Sequence, residues 1–202
     1  MRVTRSSFLR LGAATALAPV LAPPAAARAG LPAPRPIGDD EGFLQFGILA
    51  ERAAQRFCTT AAAEPATWTP AERRALRAVA RAKAGHVERL RSALGADAPG
   101  AGDFEIALPR RAFASRRGAL LLGRGLEELL VGVYLSGVAF TADPATRLLL
   151  GRLLSAGAEQ LAWLRRAAGA ARTAPGLPDP LDLDAAGRRL DHYLKATTYP
   201  TS

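Results

Sequence analysis

Five polar residues interrupt the apolar faces of four helical segments, and most of them are of types that bind metal ions. Glu51 and Glu127 are carboxylates on the first and third segments, and Gln160 lies on the fourth. On the second segment, Lys83 and His86 are three residues apart, which places both side chains on one face of a helix. Carboxylates and imidazole bind iron or zinc, whereas a protonated lysine has no lone pair to donate. The set therefore points either to a metal centre or to an ionic network in its place.

Four long amphipathic helices must position these side chains, because apolar residues recur at spacings of three and four along the chain. The predicted helices cover residues 41–62, 70–94, 116–140 and 144–169. Thr69, Pro70 and Glu72 form a helix-start signature, in which the threonine caps the helix and the proline occupies its first turn. Asp143 before Pro144 is a second helix start.

The lengths of the connections predict how the helices are arranged. Short links join the first helix to the second and the third to the fourth, whereas residues 95–115 form one long connection between the pairs. A single long crossover is typical of a ferritin-like four-helix bundle. We therefore predict an all-α bundle over residues 41–172. No strand pattern is strong enough to compete with it, and FEIAL (104–108) is a candidate for a short packed piece of the long connection. Residues 173–202 are predicted to be a C-terminal tail with one short helix at about 184–195.

The chain resembles the exported ferritin-like proteins of bacteria over residues 41–168. The similarity rests on one segment from each helix: FLQFGILAERAAQRF, AKAGHVERLRSAL, LEELLVGVYLSG and AGAEQLAWLRR. The resemblance implies a di-iron site inside the bundle. In such a site two helices each supply one Glu, and the other two each supply a Glu-x-x-His pair.

Carried over residue by residue, the resemblance implies a degenerate di-iron site. Three ligand positions are kept: Glu51, His86 and Glu127. Lys83 occupies a glutamate position of the second helix. Gly157 and Gln160 occupy the glutamate and histidine positions of the fourth helix. Half of the expected ligands are therefore replaced.

Charge then weighs against a metal pair, because two divalent ions need more carboxylates than the two that are kept. We predict that Lys83 replaces the metal electrostatically and bridges Glu51 and Glu127. His86 is expected to join this network as a neutral hydrogen-bonding partner, and Gly157 is expected to leave room for the lysine side chain. No cofactor is expected on this interpretation.

Other interpretations stay open. In one, a single iron or zinc ion binds Glu51, His86 and Glu127, since three N/O ligands with an open position can hold either metal. In another, Lys83 extends to solvent and the polar residues are ordinary core groups. A shifted register of the fourth helix would place Glu159 inward, but it would turn apolar residues outward, so we predict that Glu159 is exposed.

The N-terminal segment has the composition of an export signal. Arginines precede the uncharged stretch LGAATALAPVLA (11–22), and ARA (27–29) supplies the small residues that a signal peptidase reads. TRSSFLRLGAA resembles a twin-arginine signal with Ser6 in place of the second arginine, so both this route and general secretion stay open. We predict a signal peptide over residues 1–29, a proline-rich linker over 30–40, and a location in the periplasm, the cell envelope or the medium.

Charge and motifs limit the function. Without the predicted signal peptide the net charge falls from +9 to +5, a modest basic excess that argues against a nucleic-acid partner in an exported protein. The sequence has no phosphate-binding glycine loop and no Ser-His-Asp set. We therefore expect a binding or structural module for a protein or small-molecule partner, rather than an enzyme. The alternatives are a metal-binding protein or oxidoreductase with a reduced site, and a peripheral membrane module that uses the basic segment RRAFASRRG (110–118).

Overall fold

The computed structural model describes residues 39–64, 67–100, 102–169 and 176–196. The predicted signal peptide and nearly all of the predicted linker lie outside the described residues. Within the described ranges, four long helices confirm the predicted all-α bundle: α1 Asp40–Ala63, α2 Pro70–Leu94, α3 Arg116–Phe140 and α4 Pro144–Ala167. The long connection joins α2 to α3, as the ferritin-like connectivity requires.

The helix ends lie at the predicted signals. Thr69 and Glu72 form a reciprocal capping box at the start of α2, in which Thr69 Oγ1 accepts from the Glu72 amide at 3.2 Å. Asp143 caps α4 by accepting a hydrogen bond from the Thr146 amide at 2.8 Å. Gly95 ends α2 with a φ of 75°, a left-handed conformation that only glycine adopts without strain.

Two helical hairpins form the bundle, α1 with α2 and α3 with α4, and α1 packs against α3 between them. The core contains the fully buried side chains of Phe43, Phe57 and Tyr134. Gly123 permits the close approach of α3 to α1, because a Cβ at this position would overlap the Phe57 ring. By contrast, α2 and α4 contact each other sparsely, which leaves space along that side of the bundle.

Within the described ranges, a small antiparallel pairing accompanies the helices, and its first strand lies in FEIAL (104–108). β1 (Phe104–Ile106), in the crossover, pairs antiparallel with β2 (Leu194–Ala196), near the end of the described residues. Each strand has three residues, which are too few for an alternating pattern to be recognised. The pairing also joins segments far apart in the sequence, so only tertiary docking produces it.

The C-terminal segment packs against the bundle. Its helix α5 (Leu183–Leu190) is followed by a 3-10 turn (Asp191–Tyr193) and by β2, so the predicted helix over 184–195 is too long at its C-terminal end. Leu190 is buried, and the Leu181 amide donates a hydrogen bond to the Gly132 carbonyl of α3 at 2.9 Å. A Cβ at Gly132 would lie 2.9 Å from Leu181 Cγ, so the glycine exposes the α3 backbone to this segment.

Candidate functional site

The polar residues of α1, α2 and α3 meet in the core of the bundle. Glu51 lies on α1, Lys83 and His86 on α2, and Glu127 on α3. Glu51 is 0% exposed, and Lys83 and Glu127 are each 1% exposed. The interpretation in which Lys83 extends to solvent is therefore wrong.

Lys83 lies between the two carboxylates. Its Nζ is 3.0 Å from Glu51 Oε2 and 3.0 Å from Glu127 Oε1, and it donates a hydrogen bond to Glu127 Oε2 at 3.1 Å. Within the described ranges, Glu51 Oε2 has no aligned hydrogen-bond donor, so its contact with Lys83 is ionic. One ammonium thus links α2 to both α1 and α3. Moving charged side chains out of water costs free energy. The attraction between the ammonium and the carboxylates offsets this cost only when their geometry is good.

The other oxygen of Glu51 has two further partners. Tyr134 on α3 donates its hydroxyl to Glu51 Oε1 at 3.0 Å, and His86 Nδ1 lies 3.3 Å from the same oxygen. Because a carboxylate only accepts, Nδ1 carries a proton in this contact, and in the neutral imidazole Nε2 is then an acceptor. The place of Tyr134 in this network was not predicted from the sequence. The available signal was its hydroxyl, since a buried tyrosine usually has a hydrogen-bond partner.

The two carboxyl groups have opposite pKa shifts. Burial raises the pKa of Glu51, but the Lys83 charge and the hydrogen bond from His86 lower it by more, so the pKa is below its ordinary value. Burial raises the pKa of Glu127 to about 7, because Lys83 offsets only part of the effect and the Glu51 charge adds to it. Burial also lowers the pKa of Lys83, but the two carboxylates raise it above its ordinary value, so the amine stays protonated.

On α4, the predicted register is confirmed. Gly157 and Gln160 are buried, whereas Glu159 is exposed. Gln160 Nε2 contacts Cys58 Sγ at 3.5 Å and not the ionic group. Burial and the nearby Glu127 raise the pKa of the Cys58 thiol to about 12, so the sulfur is protonated and unreactive at neutral pH.

The reason predicted for Gly157 needs a correction. A Cβ at this position would lie 3.2 Å from Val131 Cγ2 and 3.6 Å from Glu127 Oε2, and no Lys83 atom lies within 4 Å of it. The glycine therefore makes room for Glu127 and Val131 of α3, not for the lysine. A glutamate at Gly157 would add a third carboxyl group beside one that is already difficult to ionise.

The donor set does not fit a pair of iron ions. Lys83 is a protonated cation in contact with both of the carboxylates that a metal pair would need. Gly157 and Gln160 add neither a carboxylate nor an imidazole. Within the part of the chain that the structure describes, no group of three or more His, Cys, Asp and Glu side chains is arranged to hold a metal ion. The mismatch between these residues and a di-iron site rests on the chemistry of the side chains, above all on the positive charge of Lys83.

A comparison with protein families supports the fold. The model of the ferritin-like domain matches residues 39–170, about two thirds of the chain. The match spans α1 to α4 and contains every residue of the site described above. No curated protein and no solved structure shows significant similarity to the chain.

Proposed function

Because this chain belongs to the ferritin-like domain family, we propose that it is a member that has lost di-iron chemistry and acts as a binding or structural module. The observation that supports the proposal is the position of Lys83 Nζ, 3.0 Å from a carboxylate oxygen of Glu51 and 3.0 Å from one of Glu127. A metal pair would need the same two carboxylates. The ammonium of Lys83, rather than a bound metal ion, supplies the positive charge that pairs with these carboxylates.

The ionic group accounts for how the bundle core holds together without a metal. Metal ions in such a bundle connect its helices through shared carboxylates. Here Lys83 connects α2 to Glu51 of α1 and to Glu127 of α3. Removing one partner from a buried ion pair typically costs about 3–5 kcal/mol, so each member of the group is needed once the others are buried.

The alternative function is a metal-binding protein or an oxidoreductase with a reduced site. A single iron or zinc ion would use Glu51, His86 and Glu127, and Lys83 would have to withdraw or lose its proton. The raised pKa of Lys83 opposes the loss of the proton, and its burial opposes the withdrawal. The geometry therefore favours the metal-free function.

Metal analysis of the purified protein tests the proposal. After exposure to ferrous iron and to zinc, we expect substoichiometric metal in the wild-type protein. The matched variant carries Lys83→Glu, Gly157→Glu and Gln160→His, which together restore the ligand pattern, and we expect it to gain iron. Stoichiometric metal in the wild-type protein that is lost on Glu127→Ala would overturn the proposal.

Export is also part of the proposal. The basic segment, the uncharged stretch 11–22 and the ARA sequence at 27–29 support a cleaved signal peptide. Expression of the full chain in a bacterium, followed by N-terminal sequencing of the extracytoplasmic fraction, tests it. A new N-terminus at residue 30 is expected, and full-length protein confined to the cytoplasm would contradict export.

A second candidate function is contact with an anionic membrane surface. Arg110, Arg111 and Arg117 are exposed, and Leu121, one helical turn after Arg117, is 49% exposed. Arg116 is instead structural, since it binds Glu72 at 2.6 Å. None of the described helices has the length and apolar character to cross a membrane.

Co-sedimentation with anionic vesicles tests this second candidate. Binding that is lost when Arg110, Arg111 and Arg117 are replaced by glutamine would support it. A matched variant with Arg152 of α4 and Arg188 and Arg189 of α5 replaced by glutamine removes the same three charges and controls for net charge. Equal loss in both variants, or no binding by the wild-type protein, would contradict it.

A further inference from the structure

A cleft between α2 and α4 opens beside the buried ionic group. Its volume is about 290 Å³, close to the lower end of the range for small-ligand sites. Its walls are apolar and include Val79 and Ala82 of α2 and Trp163 of α4. Its polar lining includes His86 and Gln160, which are both nearly buried. The sparse contact between α2 and α4 leaves this space.

Two buried polar groups of the lining, His86 and Gln160, offer hydrogen-bond acceptors, whereas the Lys83 ammonium, which also lines the cleft, is engaged by two carboxyl groups. His86 Nδ1 lies 3.3 Å from Glu51 Oε1, an oxygen that only accepts, and in the neutral imidazole the second ring nitrogen, Nε2, then carries a lone pair. Gln160 directs its amide nitrogen to Cys58, which leaves its carbonyl oxygen. A ligand that fills the cleft must therefore supply N–H or O–H donors, since buried acceptors without partners are costly.

The charge around the cleft favours a cation. The cation in the lining, the Lys83 ammonium, is shared between two carboxyl groups behind it, those of Glu51 and Glu127, so carboxyl groups outnumber it. Glu159 adds an exposed carboxylate to the lining. None of the arginines in the part of the chain that the structure describes lines this cleft. Carboxylates near an apolar cavity raise the local concentration of cations.

Trp163 supplies a flat wall that is held in place. Its ring stacks on that of Trp68, with centroids 6.2 Å apart and planes 24° apart. Arg116 lies over the Trp68 ring at 4.9 Å from its centroid, which fixes the pair further. A fixed indole suits a flat apolar body and attracts a cation.

We propose that the α2–α4 cleft binds a small organic cation, namely a flat apolar body that carries an amidinium or ammonium group. The N–H donors of the ligand bond to His86 Nε2 and the Gln160 carbonyl oxygen, and its body packs on Trp163. The inference rests on the proposed function, because a metal ion at Glu51 and His86 would add positive charge behind the cleft and repel such a ligand.

Benzamidine is the probe, with benzamide as its neutral counterpart and benzoate as its anionic one. Titrations are followed by tryptophan fluorescence and by melting temperature. We expect saturable binding of benzamidine, at least about tenfold tighter than that of either counterpart. Equal affinities for benzamidine and benzoate, or no saturable benzamidine binding, would overturn the proposal.

Two variants at the cleft, Ala82→Phe and Glu159→Gln, and one control outside it locate the site. Ala82→Phe fills the cleft and should abolish benzamidine binding, whereas Ser92→Phe, at an exposed position of α2 outside the cleft, should retain it. Glu159→Gln, at an exposed position, should weaken benzamidine binding several-fold and leave benzamide binding unchanged. Circular dichroism checks that each variant is folded. Binding that is unaffected by both Ala82→Phe and Glu159→Gln would overturn the assignment to this cleft.

Failure of this inference is distinguishable from failure of the proposed function. A metal-free protein that does not bind benzamidine refutes the cleft assignment alone. A protein that holds stoichiometric iron or zinc refutes the proposed function, whatever the benzamidine titration shows.

Discussion

Replacing Lys83 with methionine removes the buried cation and keeps a side chain of similar length. Glu51 and Glu127, which are 0% and 1% exposed, then lose the charge that they share. Leaving a buried charge unpaired costs about 3–5 kcal/mol. Protonation of Glu127, whose pKa is already about 7, relieves part of this cost. We therefore expect the free energy of unfolding to fall by about 3 kcal/mol at about pH 8 and by less at about pH 6.

Urea denaturation followed by circular dichroism measures this loss. Lys195→Met is the matched control, since it removes the other lysine, which is exposed on β2, and should change the free energy by less than about 0.5 kcal/mol. Combining Lys83→Met with Glu127→Gln removes one of the unpaired carboxyl groups and should recover part of the loss. An unchanged stability of Lys83→Met, or a double variant less stable than the single one, would refute the reasoning.

Three further predictions follow from the same geometry. The pKa of Glu127 is 4.5 in the unfolded chain and about 7 in the folded one. The stability that this shift adds to the fold is therefore fully present below the unfolded pKa and is lost as the pH rises through the folded pKa. Glu127→Gln should therefore flatten the decrease in melting temperature between about pH 5 and about pH 8, and an unchanged slope would contradict this. Tyr134→Phe leaves a carboxylate oxygen without one donor and should lower the free energy of unfolding by about 1–3 kcal/mol in urea, whereas no loss would show that the hydrogen bond is dispensable. Gly123→Ala should destabilise the bundle by about 1–3 kcal/mol, because its Cβ would overlap a ring of α1. The matched Gly125→Ala, whose Cβ meets no atom within 4 Å, should stabilise it by up to about 1 kcal/mol, and melting temperatures in the reverse order would contradict the packing.

The sequence predicts the bundle well because its signals are local. Capping residues such as Thr69 and Asp143 mark helix starts, and Gly95 marks a helix end. These signals are recognisable from neighbouring residues alone, without knowledge of tertiary contacts. The apolar stripes also determine which polar residues face inward. The inward positions of Lys83 and Gln160 follow from their spacing alone.

Other features depend on contacts between distant segments, which the spacing within one helix does not contain. The pairing of β1 with β2 requires the C-terminal segment to dock on the crossover. The hydrogen bond of Tyr134 to Glu51 depends on the depth at which α3 lies against α1. The neighbours of Gly157 are residues of α3, and the prediction that this space serves Lys83 was wrong because the spacing within α4 does not contain the packing of α3 against it.

The most direct test is anomalous diffraction from crystals grown with ferrous iron and with zinc, recorded at the absorption edge of each metal. We predict no metal peak in the bundle core and Lys83 Nζ within hydrogen-bond distance of the carboxylates of Glu51 and Glu127. A metal peak bound by Glu51, His86 and Glu127, with Lys83 displaced from both carboxylates, would contradict the account.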